Sequence, residues 1–112
     1  MSTTLTIPAV TAETFSAEVA PGTGLVAIEF SAAWCAPCHM MAPALEAISR
    51  EYAAKLRVLQ MDADANAAIM ARFGVRGVPT MLVFRDGEPV DRIVGAVSLA
   101  TLRERLDRLA GQ

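Results

Sequence analysis

Trp34-Cys35-Ala36-Pro37-Cys38 contains both cysteines of the chain, with a tryptophan in front of them and a proline between them. An apolar run, Leu-Val-Ala-Ile-Glu-Phe over residues 25–30, precedes it and reads as a strand. A helix-like run from His39 to about Ala54 follows. Residues i and i+3 share one side of a helical turn. That separation is close to what a disulfide needs, so a small adjustment in the first turn can open or close the bond. Two thiols spent in this way point to electron exchange.

The remaining elements are read outward from this junction. Residues 25–30 form a nearly continuous apolar stretch interrupted only by Glu29, as expected of a central strand covered on both faces. Residues 5–7 suggest a short first strand closed by Pro8. Thr11 is placed to cap a helix running to about Val19, with Phe15 and Val19 on one face. After the cysteines, Met41, Leu45, Ile48 and Tyr52 step at helical spacing, with Pro43 inside the helix removing one backbone bond. Residues 56–61 predict a strand, and residues 66–73 a short helix ended by Gly74. Residues 80–84 and 89–94 predict two strands joined through Asp86-Gly87, a strong hairpin signal. Ser98 opens a last helix with Leu99, Leu102, Leu106 and Leu109 facing inward. The order β-α-β-α-β-α-β-β-α predicts an α/β fold. Its mixed central sheet of about five strands carries helices on both faces. Phe15, Phe30, Phe73 and Phe84 are expected in the core, and the charges of the last helix on a solvated face.

Composition narrows the function. At 112 residues the chain is expected to be one domain, residues 1–112. It is 54% hydrophobic and 20% charged, which argues against disorder. A net charge of −2 with scattered basic residues leaves no footprint for nucleic acid. No apolar run approaches the ~20 residues of a membrane span. The first ten residues lack the basic flank and apolar stretch of a signal peptide, so a cytoplasmic location is expected. Thiols are kept reduced there, and a Cys-x-x-Cys pair reads as catalytic or metal-binding rather than structural.

Several separated stretches, in order, resemble the thioredoxin family over nearly the whole chain. They are Phe30-Ser-Ala-Ala-Trp-Cys-Ala-Pro-Cys38 with Met40-Met-Ala-Pro43, Phe73-Gly-Val-Arg-Gly-Val-Pro-Thr80, Phe84-Arg-Asp-Gly87 and Val94-Gly-Ala96. The resemblance implies a thioredoxin fold and a dithiol–disulfide oxidoreductase. Its expected partners are protein disulfides and a flavin-containing thioredoxin reductase drawing on NADPH, and it is expected to act as a monomer. No resident cofactor is expected, since the chain lacks a dinucleotide fingerprint of its own. The chain departs from the family at four positions. Ala36 stands for the usual glycine between the cysteines and His39 for the lysine after them. Glu29 and Gln60 replace the family's buried aspartate and its partner lysine. Ala36, Pro37, His39 and Gln60 are therefore candidate tuners of the redox couple.

Cys35 sits where a helix begins, and the unsatisfied N–H groups there favour a thiolate. Such positions lower cysteine pKa values. Cys35 is accordingly the candidate nucleophile, and Cys38, one turn in and expected to be more buried, the resolving thiol. Glu29 lies on a strand that reads as buried, where desolvation raises a carboxyl pKa. It is expected neutral near neutral pH and hydrogen-bonded to Gln60 or water, unless its longer arm reaches solvent at the sheet edge. The resemblance implies that it exchanges a proton with Cys38. The resemblance further implies a cis Val78–Pro79 bond against the disulfide, with the Val78 backbone free to pair with an extended substrate; an ordinary turn proline is the alternative. Trp34, Val78, Gly95 and Ala96 would make an apolar rim around Cys35, although a tryptophan can also be core. Pro37 in the first helical turn is tolerated and stiffens the loop between the sulfurs. His39 either stabilises the Cys35 thiolate or points to solvent. Of Met40 and Met41, one borders the substrate surface and the other faces the sheet.

Other readings compete. Cys-Ala-Pro-Cys-His matches the c-type haem attachment pattern. Zinc or an iron–sulfur cluster would need ligands from a second chain, because two cysteines and one histidine fall short of four. A thioredoxin-like domain can also act as a binding module without turnover, or as a specialised oxidant or one-client reductase.

Overall fold

The computed structural model describes residues 7–111. Its elements run α1 (Phe15–Glu18), β1 (Leu25–Ser31), α2 (Ala36–Glu51), β2 (Leu56–Asp62), α3 (Ala67–Arg72), β3 (Thr80–Arg85), β4 (Glu88–Val94) and α4 (Leu99–Ala110). The sheet order is β2-β1-β3-β4. β1 pairs parallel to β2 and antiparallel to β3, and β4 closes the edge as the second arm of a hairpin. This is the mixed α/β sheet of a thioredoxin fold, with four strands among the described residues rather than about five. The expected first strand begins at Leu5 and Thr6, outside the described residues. Just beyond it, Ala9 makes a single parallel bridge to Gln60.

Strand alternation on β1 sorts the two cores. Leu25 and Ala27 join one cluster with Met41, Leu45 and Ile48 of α2 and Leu102 and Leu106 of α4. Val26, Ile28 and Phe30 join the other with Phe15, Val19 and Ile69. Helices α2 and α4 thus cover one face, and α1 and α3 the other. The four phenylalanines fall in or against the second cluster, as expected.

Two boundaries differ from the sequence-based expectation. Helix α1 is a single turn beginning after Thr14, not after Thr11. The reason is a reciprocal pairing: the Thr11 N–H donates to Thr14 Oγ1 (2.9 Å) and the Thr14 N–H to the Thr11 carbonyl (3.1 Å). These bonds satisfy the backbone without a helix. Helix α2 stops at Glu51, because the Lys55 and Leu56 N–H groups both donate to the Tyr52 carbonyl (2.8 Å each) and turn the chain into β2. The hairpin turn has positive φ at both Asp86 (50°) and Gly87 (90°), which explains the Asp-Gly pair. On β4 the pairing register shifts opposite Val83 and Phe84, beside Pro89.

Candidate functional site

The end of β1 and the start of α2 deliver the two cysteines. Cys35 is the N-cap of α2 in an extended conformation (φ −91°, ψ 102°), with Pro37 in the first turn. Its sulfur accepts a hydrogen bond from the Cys38 N–H at 3.2 Å. One of the four unpartnered donors of the helix start is thereby aimed at the sulfur. Cys35 and Cys38 form a disulfide with their Cα atoms 5.3 Å apart. Both are buried, Cys35 at 3% exposure and Cys38 at 6%, so the expectation that Cys38 lies deeper is corrected. In the closed pair, the capping bond holds the Cys35 sulfur against the helix start, and both cysteines pack with Ala32 and Val78.

The Val78–Pro79 peptide bond is cis, and Pro79 is buried. The Gly95 N–H donates to the Pro79 carbonyl at 2.9 Å, which brings the loop after β4 beside the proline. Gly95 has φ 87°, a conformation suited to glycine. Ala96 follows as an exposed residue. Trp34 is 70% exposed, so it is not core. Its indole Nε1 donates to Asp64 Oδ2 at 2.9 Å, and it shares a shallow pocket with Val78, Met70 and Arg76. Met40 is 79% exposed and Met41 5%, which settles which methionine faces the sheet. Ala36 lies exposed at the first helical position.

Behind the disulfide is a cavity of about 290 Å³ lined by Glu29, Ser31, Cys38, His39, Gln60 and Asp62, among others. Glu29 is 2% exposed, which rules out an arm reaching solvent. Its Oε2 has no hydrogen-bond partner among the described residues. Burial pushes its carboxyl pKa up to about 7, because the low-dielectric surroundings penalise the charged form. Gln60 does not bond it, contrary to the first of the two expected partners. The Gln60 Nε2 instead donates to the Ile7 carbonyl at 3.0 Å. His39 is exposed, and its Nε2 lies 2.8 Å from the Ala33 carbonyl. A carbonyl only accepts, so Nε2 carries the proton in that bond. The ring thus ties the loop before the cysteines to the helix after them, rather than hanging free in solvent. Among the described residues, no group of three or more His, Cys, Asp or Glu side chains is placed to hold a metal ion.

Comparison with known proteins agrees with this geometry. A family profile described as Thioredoxin matches residues 6–108. This chain belongs to the thioredoxin family. It is 39% identical to "Thioredoxin 1" of Synechococcus elongatus over 100 residues, covering 89% of this chain and 94% of that protein. It is 41% identical to a Staphylococcus haemolyticus thioredoxin (93% and 98% covered) and 36% identical to one from Porphyra purpurea (93% and 97%). With the Cys35–Cys38 pair closed at a helix start, this member of the family is a thiol–disulfide oxidoreductase.

Sequence reasoning missed Asp64 as the partner of Trp34. The available signal was Asp62-Ala63-Asp64 at the end of β2, where an Asp side chain folds back on the backbone: the Asp64 N–H donates to Asp62 Oδ1 at 3.0 Å. It also missed the bond from His39 to Ala33. Nothing in a lone histidine beside Cys38 marks that contact. No described helix is long and apolar enough to cross a membrane.

Proposed function

We propose that this chain is a cytoplasmic, monomeric, single-domain reductant of protein disulfides. The Cys35 thiolate attacks one sulfur of a substrate disulfide. A mixed disulfide forms, and the other substrate sulfur leaves as a thiolate that takes a proton from water. Cys38 then gives up its proton and attacks the Cys35 sulfur. The second substrate sulfur leaves as a thiolate, and the Cys35–Cys38 disulfide remains. The substrate has gained two electrons and the chain has lost two. A flavin-containing thioredoxin reductase returns them from NADPH.

The observation that carries this reading is the capping bond from the Cys38 N–H to the Cys35 sulfur. A donor already aimed at that sulfur favours its anionic form, both as nucleophile and as leaving group. Glu29 is the proton acceptor for Cys38: the two line one cavity, and a carboxyl with a pKa of about 7 is matched to exchange at neutral pH. The substrate lies across Trp34, Val78, Gly95 and Ala96 and pairs with the Val78 backbone as an added strand. Ala36, Pro37 and His39 tune the couple through the first helical turn.

Insulin-disulfide reduction coupled to NADPH through a thioredoxin reductase tests the assignment. Cys35→Ser is expected to abolish turnover and to form no adduct. Cys38→Ser is expected to stall as a covalent mixed disulfide visible by mass spectrometry. An adduct on Cys38 in the Cys35→Ser protein would reverse the roles, and full turnover in either variant would remove them.

A further inference from the structure

Glu29 and Gln60 are directly opposed in the β1–β2 ladder, so their side chains stand on the same face of the sheet. An amide beside an unpartnered carboxyl oxygen would ordinarily bond it. Here the side-chain amide is engaged by Ile7 instead, and the Gln60 backbone adds two bonds to the same segment, 7–10. The Gln60 side chain donates to the Ile7 carbonyl at 3.0 Å. Its backbone N–H donates to the Pro8 carbonyl at 3.0 Å, and its carbonyl accepts from the Val10 N–H at 2.8 Å. Three hydrogen bonds from one residue therefore fasten four residues of chain to the sheet. Ile7 (4% exposed) and Val10 (1%) are buried in the two opposite cores, so the segment passes over the sheet edge like a strap. Ala9, at its middle, is part of the wall of the cavity that holds Glu29 and Cys38.

We propose that the segment 7–10, pinned by Gln60, is the wall that keeps bulk water from Glu29, which makes Gln60 a positioning residue for the proton transfer of the resolving step. The transfer itself rests on the assignment of Glu29 as proton acceptor. Among the described residues, the titratable groups that line the cavity with Glu29 are Cys38 and His39 from α2 and Asp62 from β2. Met81, its partner on β3, and the segment 7–10 bring none. Burial, and not a neighbouring charge, raises the Glu29 pKa, and the segment 7–10 contributes to the lining of its cavity through Ala9. Gln60 can hold the wall because it is neutral: its amide supplies a donor to Ile7 without placing a cation beside the carboxyl.

The test uses the oxidised protein, in which Cys38 does not titrate. Two quantities are followed: the Glu29 carboxyl by carbon-13 NMR across pH, and hydrogen exchange of the Val10 amide. Gln60→Ala removes both the Ile7 bond and the bulk of the side chain. Val10 exchange is expected to rise about tenfold or more, and the Glu29 midpoint to fall by about one pH unit as water reaches the carboxylate. Gln60→Met, which keeps the bulk but cannot donate, should show the same pair of changes in reduced measure, and it decides alone if the alanine variant does not fold. An unchanged Glu29 midpoint alongside faster Val10 exchange would show that the strap is not the shield. Unchanged Val10 exchange would show that Gln60 does not pin it. In the reduced protein, the pH profile of substrate release should move with the Glu29 midpoint. If the midpoint moves and the profile does not, the proton role of Glu29 fails while the strap assignment stands.

Discussion

The two faces of the sheet are built to different standards. On the α1/α3 face, Phe15, Phe73 and Phe84 form a closed trio with ring centroids 5.4–5.6 Å apart, and Phe30 beside them is fully buried. Edge-to-face and tilted rings at that spacing add to the burial term. On the α2/α4 face, Leu45, Ile48, Leu102 and Leu106 are as fully buried, but the end nearest the cysteines holds a cavity and a carboxyl oxygen with no partner among the described residues. Strand β1 supplies both faces, with Ile28 and Phe30 to one side and Glu29 to the other. A packed interior tolerates an unsatisfied polar atom only at a cost in stability. One face is closed by aromatic packing, and the other leaves a buried carboxyl beside the disulfide.

The largest expected break in this contrast comes from the aromatic trio. Phe84→Ala should destabilise the fold by about 3–5 kcal/mol through lost burial and a residual cavity. Insulin reduction per folded molecule should stay unchanged, because no phenylalanine reaches the disulfide. Urea unfolding followed by an activity assay in its absence measures both. A proportionate fall in activity of the folded fraction would mean that the two faces are not separable.

The Glu29 face should announce itself through pH. Its folded pKa, about 7, lies above the ordinary 4.5. The unfolded chain therefore ionises first as pH rises. Its contribution to stability is fully present below about pH 4.5 and is lost as pH climbs through about 7. The loss is on the order of 3 kcal/mol once both states are ionised. Glu29→Gln should flatten that slope and slow release of the mixed disulfide while leaving the first attack unaltered. A slope that persists in the variant would locate the titration elsewhere.

The smallest expected effect lies at the rim. Trp34→Ala should raise the KM for protein disulfides several-fold and leave the rate with a small disulfide unchanged, since the indole is 70% exposed and lies outside the cluster that packs the two cysteines. Asp64→Asn should do less, because an amide oxygen can still accept from the indole N–H. Equal losses with large and small substrates would mean that Trp34 acts on the cysteines themselves.

Much of the fold is legible in the sequence alone. The unbroken apolar stretch of β1, the Asp86-Gly87 turn and the stepped leucines of α4 each encode their element locally. The cysteine spacing and the proline between them encode the helix start in the same way. What escapes prediction depends on contacts between distant parts of the chain. Thr11 and Thr14 satisfy each other and shorten α1. Asp64 finds Trp34 across 30 positions and Gln60 finds Ile7 across 53. A bond from Glu29 to Gln60 or water is expected from the family pair that the two residues replace, yet the Gln60 amide is claimed by Ile7. The relative burial of the two cysteines also differs from expectation, because the closed disulfide draws the first sulfur against its own helix.

The outer margin of β4 has a bearing on how this molecule behaves in company. Pro89 offers no N–H there, the register slips beside it, and the Arg92 carbonyl is already occupied by Arg105 of α4, which also grips Asp91 through both oxygens. A margin blunted in these ways is a poor template for another chain to line up against. Strand pairing along this margin is thereby closed off, and copies of the protein at high concentration have little reason to stack.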